Sequence, residues 1–306
     1  MTLHVVAEPL GWKEVALTAS TEQDVESVDR EFSRLRGEVN AYEKTWFNKM
    51  VEPQSSFLRS RPGLKLELTQ AAVKGQVIFT SHVYKMQDVW HGDRAQVHSS
   101  VVQQVGPQPE RGILGSAEGV YILLGLPGSG KSSTLRPMVD GHAKGVSGPP
   151  LISDADEIRV KLPEYSSGLG SAVVQPETAE LAYEPMNGLF GGHDGMQGLV
   201  LSDGRVAIVD VIGDASYIPD TVKRVAGQGR RVYVMLASCP LEECVRRVKT
   251  RAVETGRYVD LGFVRSKDGA PERALRAAID TGVLAGWAIV DTSGASPRVV
   301  TNTMEL

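Results

Sequence analysis

Cysteine is nearly missing from this chain of 306 residues: only Cys239 and Cys244 are present. Both fall in one short segment with no histidine nearby. That excludes a disulfide scaffold, argues against zinc, and reads as a pair of reduced thiols in an intracellular protein. Long hydrophobic runs are missing as well. The apolar runs, such as those at 120–124 and 206–209, fall far short of the roughly 20 residues a membrane-spanning helix needs. The opening residues, Met1-Thr-Leu-His-Val-Val-Ala-Glu, lack the basic start and apolar core of a secretory leader, so the expected location is cytoplasmic. Nor does one sign of charge dominate. The net charge is -4, with 12 basic against 14 acidic residues in 1–110 and 21 against 23 in 111–306. Neither part is a basic arm, which argues against nucleic acid and anionic membranes as partners. Hydrophobic residues at 42% and charged residues at 23% are ordinary globular usage, which excludes wholesale disorder.

The chain changes character near residue 110. Upstream, Ser20-Thr-Glu-Gln23 forms a capping box ahead of apolar residues at Val25, Val28, Phe32, Leu35, Val39, Tyr42 and Trp46. Their alternating steps of three and four make a heptad seam, which needs a surface to pack on. That surface is the chain itself, a partner protein or a second copy. Residues 53–63 read as a hinge, 65–68 and 76–80 as short strands, and 93–105 as a second helix carrying His98. Residues 106–112, Gly-Pro-Gln-Pro-Glu-Arg-Gly, are the best linker. Downstream, apolar β-rich runs at 120–124, 150–152, 206–209, 231–236 and 287–290 alternate with helix-length stretches. Buried strands separated by helices predict a three-layer α/β domain around a parallel sheet.

The strongest signal is Gly125-Leu-Pro127-Gly128-Ser129-Gly130-Lys131-Ser132-Ser133. It fits the P-loop pattern of Gly, four residues, then Gly-Lys-Ser/Thr, between a buried strand and a helix. Successive backbone N–H groups turn inward around phosphate oxygens at a helix N-terminus. Lys131 would reach the β- and γ-phosphates, and the Ser132 hydroxyl would ligate Mg²⁺. The expectation is a bound nucleoside triphosphate. Base-reading motifs of GTPases are absent, so other residues must name the reaction. After the second strand come Asp154-Ala-Asp156-Glu-Ile-Arg159 and Leu162-Pro-Glu-Tyr165, at the strand end where parallel sheets bind ligands. Asp156 could accept a proton from a hydroxyl attacking the γ-phosphate, or cap the helix. Asp154 reads as a cap or structural residue, and Arg159 as a hold on an anionic group or an ion-pair partner.

These segments, with Gly168-Leu-Gly-Ser-Ala-Val-Val-Gln-Pro-Glu177-Thr-Ala-Glu-Leu and the arginine-rich stretch from Arg246 to Arg257, resemble the zeta toxin family of P-loop kinases. The resemblance spans about 121–257. It implies an ATP- or GTP-dependent, Mg²⁺-assisted kinase acting on a hydroxyl of a nucleotide-sugar such as UDP-N-acetylglucosamine. It also implies a toxin role and an antitoxin partner. Within the family pattern the second Asp is the base, here Asp156; Arg257 matches the lid arginine, and Glu177 lies in the substrate-side helix. Where the family places Glu-Gly-Thr, this chain has Asp210-Val-Ile212-Gly213. Asp210 can replace the acid, near Mg²⁺ or on a substrate hydroxyl, but Ile212 cannot replace a threonine hydroxyl.

The basic helix acquires a role from this. Arg247 and Arg251 share a face one turn apart, and arginines over a P-loop neutralise charge on the transferred phosphoryl group. The plainer reading is a solvated face paired with Glu242 and Glu243. Asp156, Lys131, Arg251 and Arg257 are thus the expected catalytic groups, Arg159, Glu177 and Asp210 the expected substrate contacts, and Ser132 and Asp210 the expected Mg²⁺ ligands. His91, His98 and His193 form no metal or nucleophile arrangement. The expected architecture is a P-loop NTPase fold over 111–306 behind a mainly helical region, 1–110. That region either damps the kinase in cis, completes its core or mediates assembly. The alternatives to a nucleotide-sugar kinase are a kinase for another metabolite or polynucleotide end, and a nucleotide-binding assembly protein without turnover.

Overall fold

The structure, a computed structural model, describes residues 25–27, 29, 30, 33, 80, 81, 85, 86, 89, 90, 92–106, 119–143, 149–166, 174–184, 195–255 and 257–304. The seam beyond Val25, the hinge at 53–63, the strand candidates at 65–68 and 76–79, most of the 106–112 linker, His91, His193 and residues 168–173 lie outside the described residues. Two compact units emerge from the backbone contacts. One comprises Gly106–Ala155, Ala182–Val248 and Phe263–Leu306, the other Met1–Val105, Asp156–Leu181 and Lys249–Gly262.

The first unit is built on a sheet. An antiparallel pair of two-residue strands, β1 (Lys85–Met86) and β2 (Val89–Trp90), belongs to the other unit. The main strands are β3 (Val120–Leu124), β4 (Leu151–Asp154), β5 (Ala207–Val211), β6 (Val232–Ser238), β7 (Gly286–Asp291) and β8 (Arg298–Asn302). Their order is β4-β5-β3-β6-β7-β8. The first five strands are parallel, and β8 joins β7 antiparallel. β3, β5 and nearly all of β6 are buried at every residue. Continuous apolar runs are what a parallel sheet covered on both faces requires. On one face Leu135 and Val139, beyond the glycine-rich loop, join Tyr121, Leu123, Ile208, Met235 and Ala288 in a single cluster. On the other, Leu124 and Ala274 close around Gly213. The sixth strand, β8, was not among the expected runs. All five of its residues are exposed, so it carries no burial pattern to read.

The helices follow in chain order: α1 (Gly92–Val105), α2 (Arg136–His142), α3 (Ala155–Arg159), α4 (Gln175–Tyr183), α5 (Gly195–Ser202), α6 (Ile218–Gly227), α7 (Leu241–Thr255), α8 (Leu261–Ser266) and α9 (Ala270–Ile279). α1 lies within a residue of its expected start. Among the described residues no helix is long and apolar enough to cross a membrane. The register places the ends of β3, β4, β5, β6 and β7 along one edge, with Asp154 opposite Asp210 and Ser238 opposite Asp291. The glycine-rich loop after β3 and the carboxylates Asp154 and Asp210 at the ends of β4 and β5 lie along that edge.

The second unit is assembled from three stretches of chain. Within it α1 supplies Arg94 and His98, both buried, to the buried Glu177 of α4. Lys85 and the Trp90 indole N–H both donate to Glu180, one turn further along α4.

Candidate active site

The loop after β3 turns because its glycines permit it. A Cβ at residue 125 would stand 2.4 Å from the Ser129 hydroxyl oxygen. Gly128 has φ +82°, and a Cβ there would stand 2.6 Å from the Cys244 carbonyl; no larger residue fits this close approach. The chain then enters a π-helical turn, Lys131–Leu135, and α2, whose second residue is Pro137. The π-helical turn, in which the Arg136 N–H reaches back to the Lys131 carbonyl, runs straight into α2, and Pro137 brings no N–H to this continuous run. The Ser133 hydroxyl donates back to the Gly130 carbonyl at 3.4 Å. Pro127 stands half-buried beside Leu126.

Three expected residues meet at the edge of the sheet. The Lys131 ammonium donates to the Gly125 carbonyl at 2.6 Å and lies 3.6 Å from an Asp210 oxygen. The Ser132 hydroxyl donates to the other Asp210 oxygen at 3.4 Å. Arg136 bridges Asp210, at 3.2 Å, and Asp154. A hydroxyl and a carboxylate this close are hard oxygen donors of the kind Mg²⁺ takes when waters and phosphates complete its shell. Among the described residues no group of three or more histidine, cysteine or acidic side chains is placed to hold a metal ion by itself.

The loop also has supports that the motif does not reveal. The buried Thr292, just past β7, donates its hydroxyl to the Ser129 carbonyl at 2.6 Å and its N–H to the Ser238 carbonyl at 3.0 Å. Its own carbonyl accepts from Arg247 of α7 at 2.7 Å. Arg247 reaches the Gly128 carbonyl at 3.5 Å and is oriented by Glu243 at 2.7 Å. Arg247 belongs to a basic run visible in the sequence. Thr292 gives no signal there, because its role depends on the strand order.

The second unit holds the other expected catalytic groups. Asp156 pairs with Arg159 at 3.2 Å and with Arg257 through its second oxygen. Burial pushes its carboxyl pKa up, but the charges of Arg159, Arg257 and Arg251 outweigh that and hold it below the ordinary carboxylate value. Asp156 is therefore ionised at neutral pH, with 37% of its side chain exposed. Arg251 is depressed by burial and then by the neighbouring Arg257 charge. The buried Nε groups of Arg251 and Arg257 have no acceptor among the described residues. Three guanidinium groups around one carboxylate leave an excess of positive charge and unsatisfied donors, which an anion would complete.

Glu177 is placed differently from its expected setting. It is 0% exposed, its two oxygens accept from Arg94 at 2.5 and 2.7 Å, and one also meets His98 at 2.5 Å. Direct contact with a ligand would require those partners to move.

A profile of the Zeta toxin family matches residues 116–280. No curated protein matches the sequence. Among solved structures, the AvrRxo1-ORF1:AvrRxo1-ORF2 complex with sulphate ions gives a TM-score of 0.53 at 18% identity, over 75% of this chain and 78% of that one. The same complex with ATP gives 0.53 at 17% identity, over 75% and 77%. The PezAT toxin-antitoxin system of Streptococcus pneumoniae gives 0.48 at 14% identity, over 72% and 84%. The AvrRxo1 likeness is one of fold: a mostly parallel sheet flanked by helices.

Proposed function

The chain belongs to the zeta toxin family of kinase-like phosphotransferases, and from that premise we propose that it transfers the γ-phosphoryl group of ATP, or GTP, to a hydroxyl of a small molecule. The observation that carries this reading is Asp156. Its carboxylate is held between Arg159 and Arg257 with 37% of the side chain exposed, a placement open to an incoming hydroxyl; the arginines keep it in the proton-accepting form while lowering its basicity.

In the proposed reaction the backbone N–H groups of the loop from Gly125 to Ser133 cradle the phosphates. Lys131 leaves its loop carbonyls for the β- and γ-phosphates. Ser132 and Asp210 would hold Mg²⁺, which neutralises phosphate charge when bound. Asp156 accepts the proton of the acceptor hydroxyl as that oxygen bonds to the γ-phosphorus. The bond from that phosphorus to the β–γ bridging oxygen breaks, and the nucleoside diphosphate departs. Arg251 and Arg257 offset the charge on the group in transfer, and their unsatisfied Nε donors support that role. Arg159 binds an anionic part of the acceptor. Glu177 serves the acceptor side by fixing α4 through Arg94 and His98.

We assign the acceptor to the nucleotide-sugars, with UDP-N-acetylglucosamine as the reference compound. The Ile212 side chain offers no hydroxyl, and its carbonyl accepts the Gly125 N–H at 3.1 Å. A sugar nucleotide related to the reference compound is therefore expected to be the better acceptor. The ATP complex of the AvrRxo1 neighbour supports ATP as donor, and that neighbour's occurrence as a complex of two proteins, ORF1 with ORF2, supports a protein partner, which we assign as an antitoxin. A panel of nucleotide-sugars incubated with the chain, ATP and Mg²⁺, followed by phosphorus NMR, tests the proposal. A new phosphomonoester on one sugar is the expected result. Hydrolysis to ADP with every acceptor untouched would refute the acceptor assignment, and no ADP at all would refute the kinase reading.

A further inference from the structure

The segment that carries Arg251 and Arg257 is fastened on either side of those arginines. Before them, the Lys249 ammonium donates to Glu26 at 2.9 Å. After them, the Tyr258 hydroxyl and the Leu261 N–H both donate to one oxygen of Asp29, at 2.6 and 2.7 Å. The Leu261 N–H opens α8 and has no acceptor within that helix. Asp29 is 7% exposed and Tyr258 and Leu261 are buried. Glu26 and Asp29, three residues apart, share one helical face. They lie about 90 residues before the stretch that matches the family profile, which begins at residue 116.

We propose that Glu26 and Asp29 are positioning residues for phosphoryl transfer, acting through Lys249, Tyr258 and Leu261 to hold Arg251 and Arg257 in working orientation. The inference rests on the roles given to those arginines above. Arg257 meets Asp156 and is the residue next to Tyr258, so anchoring the tyrosine limits how far the guanidinium can swing. Small displacements of such groups carry large rate penalties.

The test uses the full chain with Asp29→Ala, Asp29→Asn and Tyr258→Phe, assayed with Mg²⁺ and ATP for transfer to water and to UDP-N-acetylglucosamine. Asp29→Ala is expected to lower kcat by roughly 10–10²-fold, with the KM for ATP within about threefold of wild type. The asparagine oxygen can accept the same two hydrogen bonds, so Asp29→Asn should restore most of the rate. Tyr258→Phe should fall between them at nearly unchanged Tm. Amide exchange at Leu261 should accelerate by about tenfold in Asp29→Ala. Wild-type kcat in Asp29→Ala or Tyr258→Phe, or a loss that asparagine does not rescue, overturns the proposal. If Asp29→Ala does not fold, Tyr258→Phe decides. If the wild type transfers nothing, the kinase reading fails, and the exchange rate at Leu261 shows whether the brace exists without it.

Discussion

Asp156 is an ordinary carboxylate placed in unusual company. Its neighbours determine what it can do: burial favours the protonated form, and the guanidinium groups of Arg159, Arg257 and Arg251 reverse that preference. A depressed pKa means the base stays ionised until the pH falls below the ordinary aspartate value of about 3.9. The rate should therefore show no acid limb from Asp156 between about pH 5 and 8. Removing the charge of Arg257 by Arg257→Ala should move that limb upward. Single-turnover rates across pH provide the check, and a limb near neutrality in the wild type would contradict the assignment. Lys131 and Ser132 are picked out in the sequence by the short P-loop spacing, and the structure sets both beside Asp210; Asp156 is picked out by its place after the second strand and by the family resemblance. Asp29 and Thr292 are not, because each acts on a backbone group that only the folded chain brings near.

At the scale of elements, the five parallel strands are legible for the same reason that they are stable. Each reads as a compact apolar run because each is covered on both faces. β8 escapes because its residues, Val299 and Val300 included, are exposed. α7 shows both limits at once. Its basic run is plain in the sequence, yet nothing there says that Arg247 turns to the Gly128 and Thr292 carbonyls. This gives a test of the loop's support. Thr292→Val keeps shape and volume while removing the hydroxyl donated to Ser129. Losing one such hydrogen bond, at about 0.5–1.5 kcal/mol, should weaken ATP binding by roughly 2- to 10-fold, and Thr292→Ser should restore it. Calorimetric titration with ATP decides; equal affinity in the valine variant would remove Thr292 from the cradle's support.

At the scale of the whole chain, the sequence leaves the region upstream of residue 110 open between damping the kinase, completing its core and mediating assembly. The Arg94–Glu177–His98 cluster favours completion, since Arg94 and Glu177 are buried and Glu177 would lose both partners in a fragment starting near residue 111. Breaking a buried pair from one side costs about 3–5 kcal/mol, so Arg94→Ala should lower the urea-denaturation stability by that order. Burial raises the pKa of Glu177, but the His98 and Arg94 contacts dominate and lower it. Its contribution is thus present above the unfolded value of about 4.3 and fades as pH falls through the lower folded value. The deficit of Arg94→Ala should narrow in acid, and the fragment should be less active than the full chain; a stable, more active fragment would instead favour damping in cis. The central claim, that an ionised Asp156 takes a proton during phosphoryl transfer, is tested most directly by Asp156→Asn, measuring nucleotide affinity and transfer rate on the same preparation. The account predicts ATP affinity close to wild type and a rate lowered by roughly 10²–10⁴-fold, whereas transfer at the wild-type rate would contradict it.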